Sequence, residues 1–515
     1  MRDHPEVPKL QEVHAHNPKG IAVLADLVVE GVVSHSYRQS MTVMHPAEST
    51  RDLGFAARHP AGDAATGNPW LTLLAVTGGQ FLAVLSTTVI SVALPTIGRD
   101  LHADSAAAEW IVNSYVLVYA SLLVLSGGLG DRYGRKGVFL TGMVIFGLGA
   151  LIAGLAPSIP MLLVGRVIQG IGPALLVPTS LAVVRAAFPD ERERAVAIGA
   201  WSTSSGLALA VGPVVGGVVV NGLGWRWVLL LNVPLVAVFA AAAALVVPRL
   251  PRTAARDRFD WQGAVLTTAA IAALSFGLIE GHKRSWDSAP ILAAFALAIG
   301  AAAVFVWWER RHGDPLVDIA LFRNRHFVAA NLAGLVAFFA FIGSIVYLSA
   351  YFQQLQGHSA VRAGFDVCAI GVAFATATPI SGRLVARFGP RLPMVTGLAL
   401  AGIATLGLLS LDRATGIGSI WWLLALGGFG IGLCLTPMTA TALAAVHPHR
   451  AGMASSVHNA MRQLGQVLGV AVLGTLVYSG PVLGMAGLHH AFLVAGGSLL
   501  AMAVLAAVAL RERAR

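Results

Sequence analysis

Three short segments hold most of the side chains that could do chemistry in this chain. The first is a glycine-rich basic loop that contains Gly127, Asp131, Arg132, Gly134, Arg135 and Lys136. A carboxylate at a helix end among three bases can accept charge-assisted hydrogen bonds. Such a loop can lock one conformation and release it in another, which suits a gate between two halves. The alternative is a solvated basic loop that anchors one side of a membrane.

The second segment surrounds Arg166, which lies several residues inside an apolar run together with Gln169. A guanidinium in such a run must face the interior of a helix bundle or find a polar partner, because its exposure to lipid is costly. Arg166 is therefore a candidate functional residue. A purely structural role, with hydrogen bonds to backbone carbonyls, is the alternative.

The third segment places Asn459, Arg462 and Gln463 beside His458 in an apolar run. Residues 459, 462, 463 and 466 share one helical face, which we expect to look into a cavity rather than into lipid. Arg462 is a candidate contact for an anionic substrate. The other predicted cavity residues are Ser86, Ser91, Gln169 and Gln353, and Gln353 is placed in an outer vestibule with Gln354 and Gln356.

Long apolar helices must position these side chains. Of the 515 residues 56% are hydrophobic and only 12% are charged, about half the charged share of a soluble domain. Apolar runs long enough to cross a hydrocarbon core of about 30 Å recur along the chain. They predict fourteen transmembrane helices and an all-α membrane protein, at about 70–95, 110–130, 138–156, 160–184, 197–219, 227–247, 263–280, 289–308, 327–350, 363–385, 393–411, 418–445, 452–478 and 490–510.

The composition also excludes several classes. The sequence has no Walker A loop, no HExxH or GxSxG motif and no metal-ligand cluster, so we expect no enzyme activity, no cofactor and no metal. The two cysteines, Cys368 and Cys434, lie in apolar runs without a CxxC pattern. The net charge of +10 is attributed to loops at the bilayer surface, so no nucleic-acid partner is expected.

Basic residues indicate the orientation. With the N-terminus inside, the inner loops and the C-terminal tail hold 21 Lys and Arg and the outer loops hold 6, which places both termini in the cytoplasm of a cell-membrane protein. Residues 1–67 are polar and are expected to form a disordered cytoplasmic tail. They could also reflect a start codon assigned too early, since Met41 and Met44 follow.

An internal repeat divides the helices. The loop at 127–136 aligns without a gap with 382–391, at an offset of 255 residues, and Arg194-Ala195 recurs as Arg450-Ala451. The sequence therefore predicts two homologous six-helix bundles, at 68–247 and 311–515, around a 248–310 linker that contributes two extra helices. Duplicated halves around a central site are typical of transporters. We expect the protein to act as a monomer.

Five motifs in order carry a resemblance to the major facilitator superfamily, in its fourteen-span drug:proton antiporter branch. The loop at 127–136 resembles the superfamily's loop 2–3 motif, and Arg166-x-x-Gln169-Gly170-x-Gly172 resembles its second motif. The other matching positions are Gly212, Pro213, Gly216 and Gly217 of the antiporter motif, then Trp225-Arg226-Trp227 with Asn232-Val233-Pro234, and Leu94-Pro95. The resemblance covers about residues 68–510.

The resemblance implies a proton-coupled exporter of small amphipathic drugs or antibiotics that works by alternating access. It implies that the basic loop is a gate and that Arg166 takes part in proton coupling. It also implies that the antiporter motif, in the fifth predicted helix, marks an exporter. Simple helix packing is the alternative for that motif, whose first half is weaker because Ala208 replaces a usual Gly.

One departure concerns the proton carrier. Helix 1 of such exporters usually carries an acidic residue and then an Asn, where this chain has Ser86 and Ser91. No Asp or Glu lies at mid-depth in any predicted span, and Glu109 falls just before the second. The remaining candidates for the carrier are Asp366, Asp131 and His458. Neutral or anionic substrates fit such a cavity better than cations. Two other functions stay open: an importer or facilitator without the usual proton coupling, and a transport-dead membrane sensor.

Overall fold

The computed structural model describes residues 68–248, 260–311, 317–446, 451–478 and 483–511. The predicted tail at 1–67 lies outside these ranges. Fourteen helices in the described residues are long and apolar enough to span a membrane, which confirms the predicted number. They are α1 (Pro69–Asp100), α2 (Ser105–Tyr133), α3 (Arg135–Gly154), α4 (Ile159–Ala187), α5 (Glu191–Leu223), α6 (Trp225–Leu230 continued by Asn232–Val246), α7 (Trp261–Arg284), α8 (Ala289–Arg311), α9 (Arg325–Ala350), α10 (Ala360–Phe388), α11 (Arg391–Gly407), α12 (Ile417–Ala444), α13 (Ala451–Val477) and α14 (Met485–Ala509).

The helix ends follow from the local sequence. The side chains of Asn68, Asp104 and Ser359 accept hydrogen bonds from the first-turn backbone amides of α1, α2 and α10. A π-helical turn, Tyr351–Leu355, extends α9. Because α2 begins at Ser105, Glu109 lies inside this helix and not before it, in contrast to the prediction.

The internal repeat has a structural counterpart in two turns. Gly134 joins α2 to α3 with φ of 94°, and Gly389 joins α10 to α11 with φ of 73°. Each amide donates to the carbonyl four residues earlier, that of Gly130 or Val385. Both turns need a left-handed residue, so glycine is favoured at both repeat positions.

The helices form two bundles. α1 to α6 pack on one another, as do α9 to α14, and the extra helices α7 and α8 pair with each other. α7 also packs against α2 and α13. Between the bundles, α2 packs on α13 and α5 packs on α10, while α1 approaches α9. We call the α2–α13 contact the acidic seam, because Glu109 lies in it, and the α5–α10 contact the glycine seam.

The two ends of the structure are named by their connections. The α1–α2 end holds the connections that follow the odd-numbered helices, and the α2–α3 end holds those that follow the even-numbered helices.

Candidate functional site

Arg166 organises the interior of the first bundle. Its side chain is completely buried in α4. Its Nε donates to the carbonyl of Ile111 at 3.0 Å, and its Nη1 donates to Ser86 Oγ at 3.0 Å and to Gln169 Oε1 at 2.7 Å. The guanidinium carbon also lies 4.3 Å from the centre of the Tyr115 ring. All these partners are neutral, so the cluster keeps a full positive charge inside the bundle.

Ser86 contacts Arg166. It is 2% exposed, and its hydroxyl lies against Arg166 across two helices. A carboxylate at this position would form an ion pair with the guanidinium, whereas serine supplies only a neutral acceptor. Ser86 and Gln169 are thus buried partners of Arg166 and do not line the cavity described below.

The antiporter motif lies where α5 meets α1 and α10. A Cβ on Gly212 would lie 2.0 Å from Thr88 Oγ1, and one on Gly217 would lie 2.5 Å from the carbonyl oxygen of Ala360. Across the glycine seam, a Cβ on Gly364 would lie 2.2 Å from the carbonyl oxygen of Pro213. Such distances exclude side chains, so the motif sets how closely the two bundles approach.

The polar face of α13 contacts α12 and α9 of its own bundle. His458 is 1% exposed and lies 3.3 Å from Thr439 Oγ1, whereas Asn459, Arg462 and Gln463 are only partly buried. Arg462 donates to Asn459 Oδ1 at 3.2 Å, and its guanidinium carbon lies 4.2 Å from the centre of the Phe338 ring of α9. Asn459, Arg462 and Gln463 do not line the cavity described below, so their position in a substrate cavity stays a prediction.

A cavity of about 790 Å³ lies between the bundles at the α1–α2 end. It is lined by the ends of α1, α5, α9 and α13 and by the starts of α2 and α10. Ser91 and Gln353, two of the predicted cavity residues, line it. Gln353 Nε2 also donates to the carbonyl of Val92 at 3.1 Å, a hydrogen bond that joins α9 to α1 across the two bundles.

Glu109 and His358 are among the cavity residues that the sequence analysis missed. Glu109 lines the cavity from α2, and His358 lines it from the connection before α10. His358 Nδ1 lies 2.6 Å from Asp366 Oδ2, so the predicted proton carrier Asp366 has a basic partner. The Asp366 side chain is 7% exposed. The signal for Glu109 is Asp104, whose capping side chain starts the helix early enough to include it.

The structure describes the gating loop in part. Arg135 donates to the carbonyl of Ala182 on α4 at 3.3 Å, and Lys136 donates to that of Ala244 on α6 at 2.6 Å. These bonds hold the start of α3 against two helices of its own bundle. The side chains of Asp131 and Arg132 lie outside the described part of the structure.

Sequence comparison identifies relatives. The pattern of the Major Facilitator Superfamily matches residues 76–470. The chain is 37% identical over 409 residues to multidrug resistance protein Stp of Mycobacterium tuberculosis, covering 79% of this chain and 75% of that protein. It is 36% identical to the methylenomycin A resistance protein of Streptomyces coelicolor, covering 82% and 89% of the two chains. It is 34% identical to the tetracenomycin C resistance and export protein of Streptomyces glaucescens, covering 84% and 80%.

Solved structures share the fold at low identity. A peptide transporter POT in complex with sulfate superposes with a TM-score of 0.63 and 16% identity, covering 85% of this chain and 94% of the other. A POT family transporter in complex with 5-aminolevulinic acid gives a TM-score of 0.64 and 16% identity, covering 85% and 95%. With the two bundles, the matched pattern and these relatives, the chain belongs to the Major Facilitator Superfamily of membrane transporters.

Proposed function

We propose that this protein exports small amphipathic molecules, antibiotics among them, from the cytoplasm in exchange for protons. The observation that carries the proposal is the 790 Å³ cavity between two bundles, bordered by the end of the helix that bears the antiporter motif. A cavity of this size suits a drug-like molecule. Relatives that are 36–37% identical to this chain over the aligned residues are named for multidrug and methylenomycin resistance, and one that is 34% identical is named a resistance and export protein, which supports export.

The proposed cycle is alternating access. The bundles would rock about the acidic and glycine seams and expose the space between them to one membrane face at a time. The excess of basic residues in the loops of the α2–α3 end supports a cytoplasmic position for that end and for both termini, in the cell membrane. The cavity at the α1–α2 end would then be the exit vestibule of a protein that acts as a monomer.

The proposed substrates are neutral or anionic. Arg166 is fully buried and Arg462 is partly buried, and both have neutral hydrogen-bond partners, so among the described residues no ion pair offsets their positive charge. A cationic drug would be repelled there, while an anionic group could contact the partly buried Arg462. We expect Arg462→Ala to lower export of anionic compounds more than that of neutral ones of similar size. Equal losses would contradict the proposed anion contact.

A second function, a carrier without proton coupling, is favoured by one observation. Ser86 gives Arg166 a neutral partner at the position where an antiporter of this kind usually has a proton-binding acid. This carrier would move its substrate down the substrate gradient in either direction and ignore an imposed pH gradient.

One experiment separates the two functions. Purified full-length protein is reconstituted in proteoliposomes, and export of a fluorescent amphipathic compound is measured with and without an imposed pH gradient. The proposed antiporter concentrates the compound only when the gradient is present and dissipates the gradient as it does so. Equilibration alone, unchanged by the gradient, would support the uncoupled carrier. A drug-susceptibility panel in a host without its own pumps then defines the substrate class.

A further inference from the structure

Glu109 is a buried acidic residue that the motifs do not explain. Its side chain is only 7% exposed, although it borders the cavity at the α1–α2 end. The oxygen Oε2 is fully buried and has no hydrogen-bond partner among the described residues. Buried carboxylates ordinarily have partners, so this one needs an explanation.

The carboxylate lies in the acidic seam between the two bundles. A Cβ on Gly474 of α13 would lie 2.1 Å from Glu109 Oε1 and 2.3 Å from the hydroxyl oxygen of Tyr347 on α9. The carboxylate of one bundle thus occupies the space that the absent side chain of Gly474 leaves free in the other. Its burial depends on the two bundles being together at this end.

The surrounding charged groups are engaged elsewhere or point to the cavity. Glu280 on α7 accepts from Arg284 Nε at 3.0 Å and from Trp110 Nε1 at 3.2 Å, which uses both of its oxygens. Tyr347 donates its hydroxyl proton to the carbonyl of Val470. Four other titratable residues near Glu109 line the same cavity: Arg99, Asp104, His358 and Tyr478. Among the described residues, none of the four is hydrogen-bonded to Glu109.

An unpartnered carboxylate is tolerated in a dry seam as the neutral acid, because burial of the ionised form without a partner is strongly unfavourable. Stable ionisation requires water around both oxygens, and the buried Oε2 gains such contact when α2 and α13 separate. Protonation takes one proton from hydronium and leaves a neutral carboxylic acid and water. Protonation and closure of the acidic seam therefore stabilise each other.

We propose that Glu109 is the protonation site that controls closure of the α1–α2 end. The neutral acid permits the acidic seam to close, and the carboxylate holds it open. This inference rests on the proposed proton-coupled export, to which it adds the residue that links proton binding to bundle movement. It also accounts for coupling in a chain whose first helix carries serine in place of an acid.

Double electron–electron resonance across the α1–α2 end tests the proposal. Spin labels are attached at Ser158 in the α3–α4 connection and Arg413 in the α11–α12 connection, which are exposed, belong to different bundles and do not line the cavity. The background carries Cys368→Ser and Cys434→Ala. Full-length protein in lipid nanodiscs is measured across a pH series from acidic to alkaline.

In the parent protein the longer-distance population is expected to grow as pH rises. Glu109→Gln, which mimics the neutral acid, is expected to keep the short distance throughout, and Glu109→Asp to keep the response with a shifted midpoint. The matched control is Glu280→Gln, a carboxylate beside Glu109 that already has two donors. This control is expected to keep an opening that grows with pH.

Two results would overturn the proposal: a parent protein whose distances ignore pH, or a Glu109→Gln variant that opens with pH as the parent does. Failure of the proposed function is seen separately, as wild-type export that does not follow an imposed pH gradient in proteoliposomes. The retained response of Glu109→Asp, together with its monodisperse behaviour in detergent, distinguishes loss of a titratable group from loss of the fold.

Discussion

Arg166 and Glu109 are both buried in the first bundle. Arg166 is hydrogen-bonded within that bundle, whereas Glu109 lies against the other bundle. Arg166 is held by acceptors from α1, α2 and α4, all within one bundle, although its Nη2 is buried without a hydrogen-bond partner among the described residues. Glu109 lies at the contact between bundles and has an oxygen without a partner among the described residues. The arginine is thus fixed whatever the bundles do, while the environment of the carboxylate changes when they move.

Two tasks therefore fall to different residues in this bundle. A charge whose hydrogen bonds all lie within one bundle shapes the electrostatic field and the packing, but bundle movement does not change those bonds. A charge whose burial depends on the partner bundle can sense conformation. We infer that Arg166 sets the charge of the centre and that Glu109 responds to the state of the seam.

The largest effect is expected from Arg166→Met. This change removes three hydrogen bonds and leaves the buried Ser86 and Gln169 side chains with fewer partners, at about 1–3 kcal/mol for each unsatisfied group. Export should fall at least about tenfold, since 1.4 kcal/mol corresponds to a factor of 10. Arg166→Lys should not restore it, because an ammonium cannot reproduce the forked donors stacked on Tyr115. Efflux rates and thermal unfolding in detergent measure both effects.

The control for this prediction is Arg311→Lys. Arg311 also lies over an aromatic ring, 4.5 Å from the centre of Trp307, but it is exposed on α8. Export and melting temperature should stay near wild type. Arg166→Lys with wild-type efflux would contradict the interpretation of Arg166 as a geometrically fixed charge.

The next effect concerns the glycine seam between α5 and α10. Gly217→Ala places a methyl group 2.5 Å from the carbonyl oxygen of Ala360, so α5 and α10 must move apart. We expect a loss of export of several fold with little loss of folded protein, because overpacking typically costs about 1–3 kcal/mol. Efflux assays and expression level in the membrane measure the two outcomes.

Gly222→Ala on the same helix is the matched control, because no atom lies within 4 Å of its added methyl group. Alanine also favours a helix by about 1 kcal/mol over glycine. If both variants were equally active, the close approach at the antiporter motif would have no part in transport.

Hydropathy and the repeat were enough to predict most of the architecture. Fourteen spans follow from apolar length alone, and the two aligned glycine turns follow from a motif that recurs at a fixed offset. The contact of Ser86 with Arg166 could not be predicted in this way, because it joins residues 80 apart through the packing of α1 on α4. Likewise, the pair of His358 and Asp366 depends on how the connection folds back on α10.

The position of Glu109 shows why a small error in a helix boundary mattered. The predicted second span begins at 110, while Asp104 caps a helix that begins at Ser105. Hydropathy finds the apolar centre of a helix, and hydrogen bonds at its ends decide where it begins. A difference of five residues moved the acid from a loop into the acidic seam.

A smaller effect is expected from Ser86→Asp, which tests whether Arg166 sets the charge of the central region. The new carboxylate would lie beside Arg166, where Ser86 Oγ now accepts at 3.0 Å, and would form a buried ion pair. Neutralising the central charge should shift the preference from anionic toward cationic compounds by about tenfold, as expected if a charged hydrogen bond contributes about 1.5–3 kcal/mol. Ser86→Asn, an uncharged change of similar size, should not shift it. Competition between labelled compounds of opposite charge measures the preference.

The smallest effect is expected from Gln353→Leu, which removes the hydrogen bond from α9 to the carbonyl of Val92 across the bundles. One neutral hydrogen bond contributes about 1 kcal/mol, so the balance between open and closed α1–α2 ends should shift only a few fold toward open. Gln356→Leu is the control, because Gln356 bonds to Tyr351 and Thr415 within its own bundle. Distances between labels at Ser158 and Arg413 should lengthen for the first variant alone. A larger opening than that of the ionised acidic seam would mean that the Gln353 bond, and not Glu109, dominates closure.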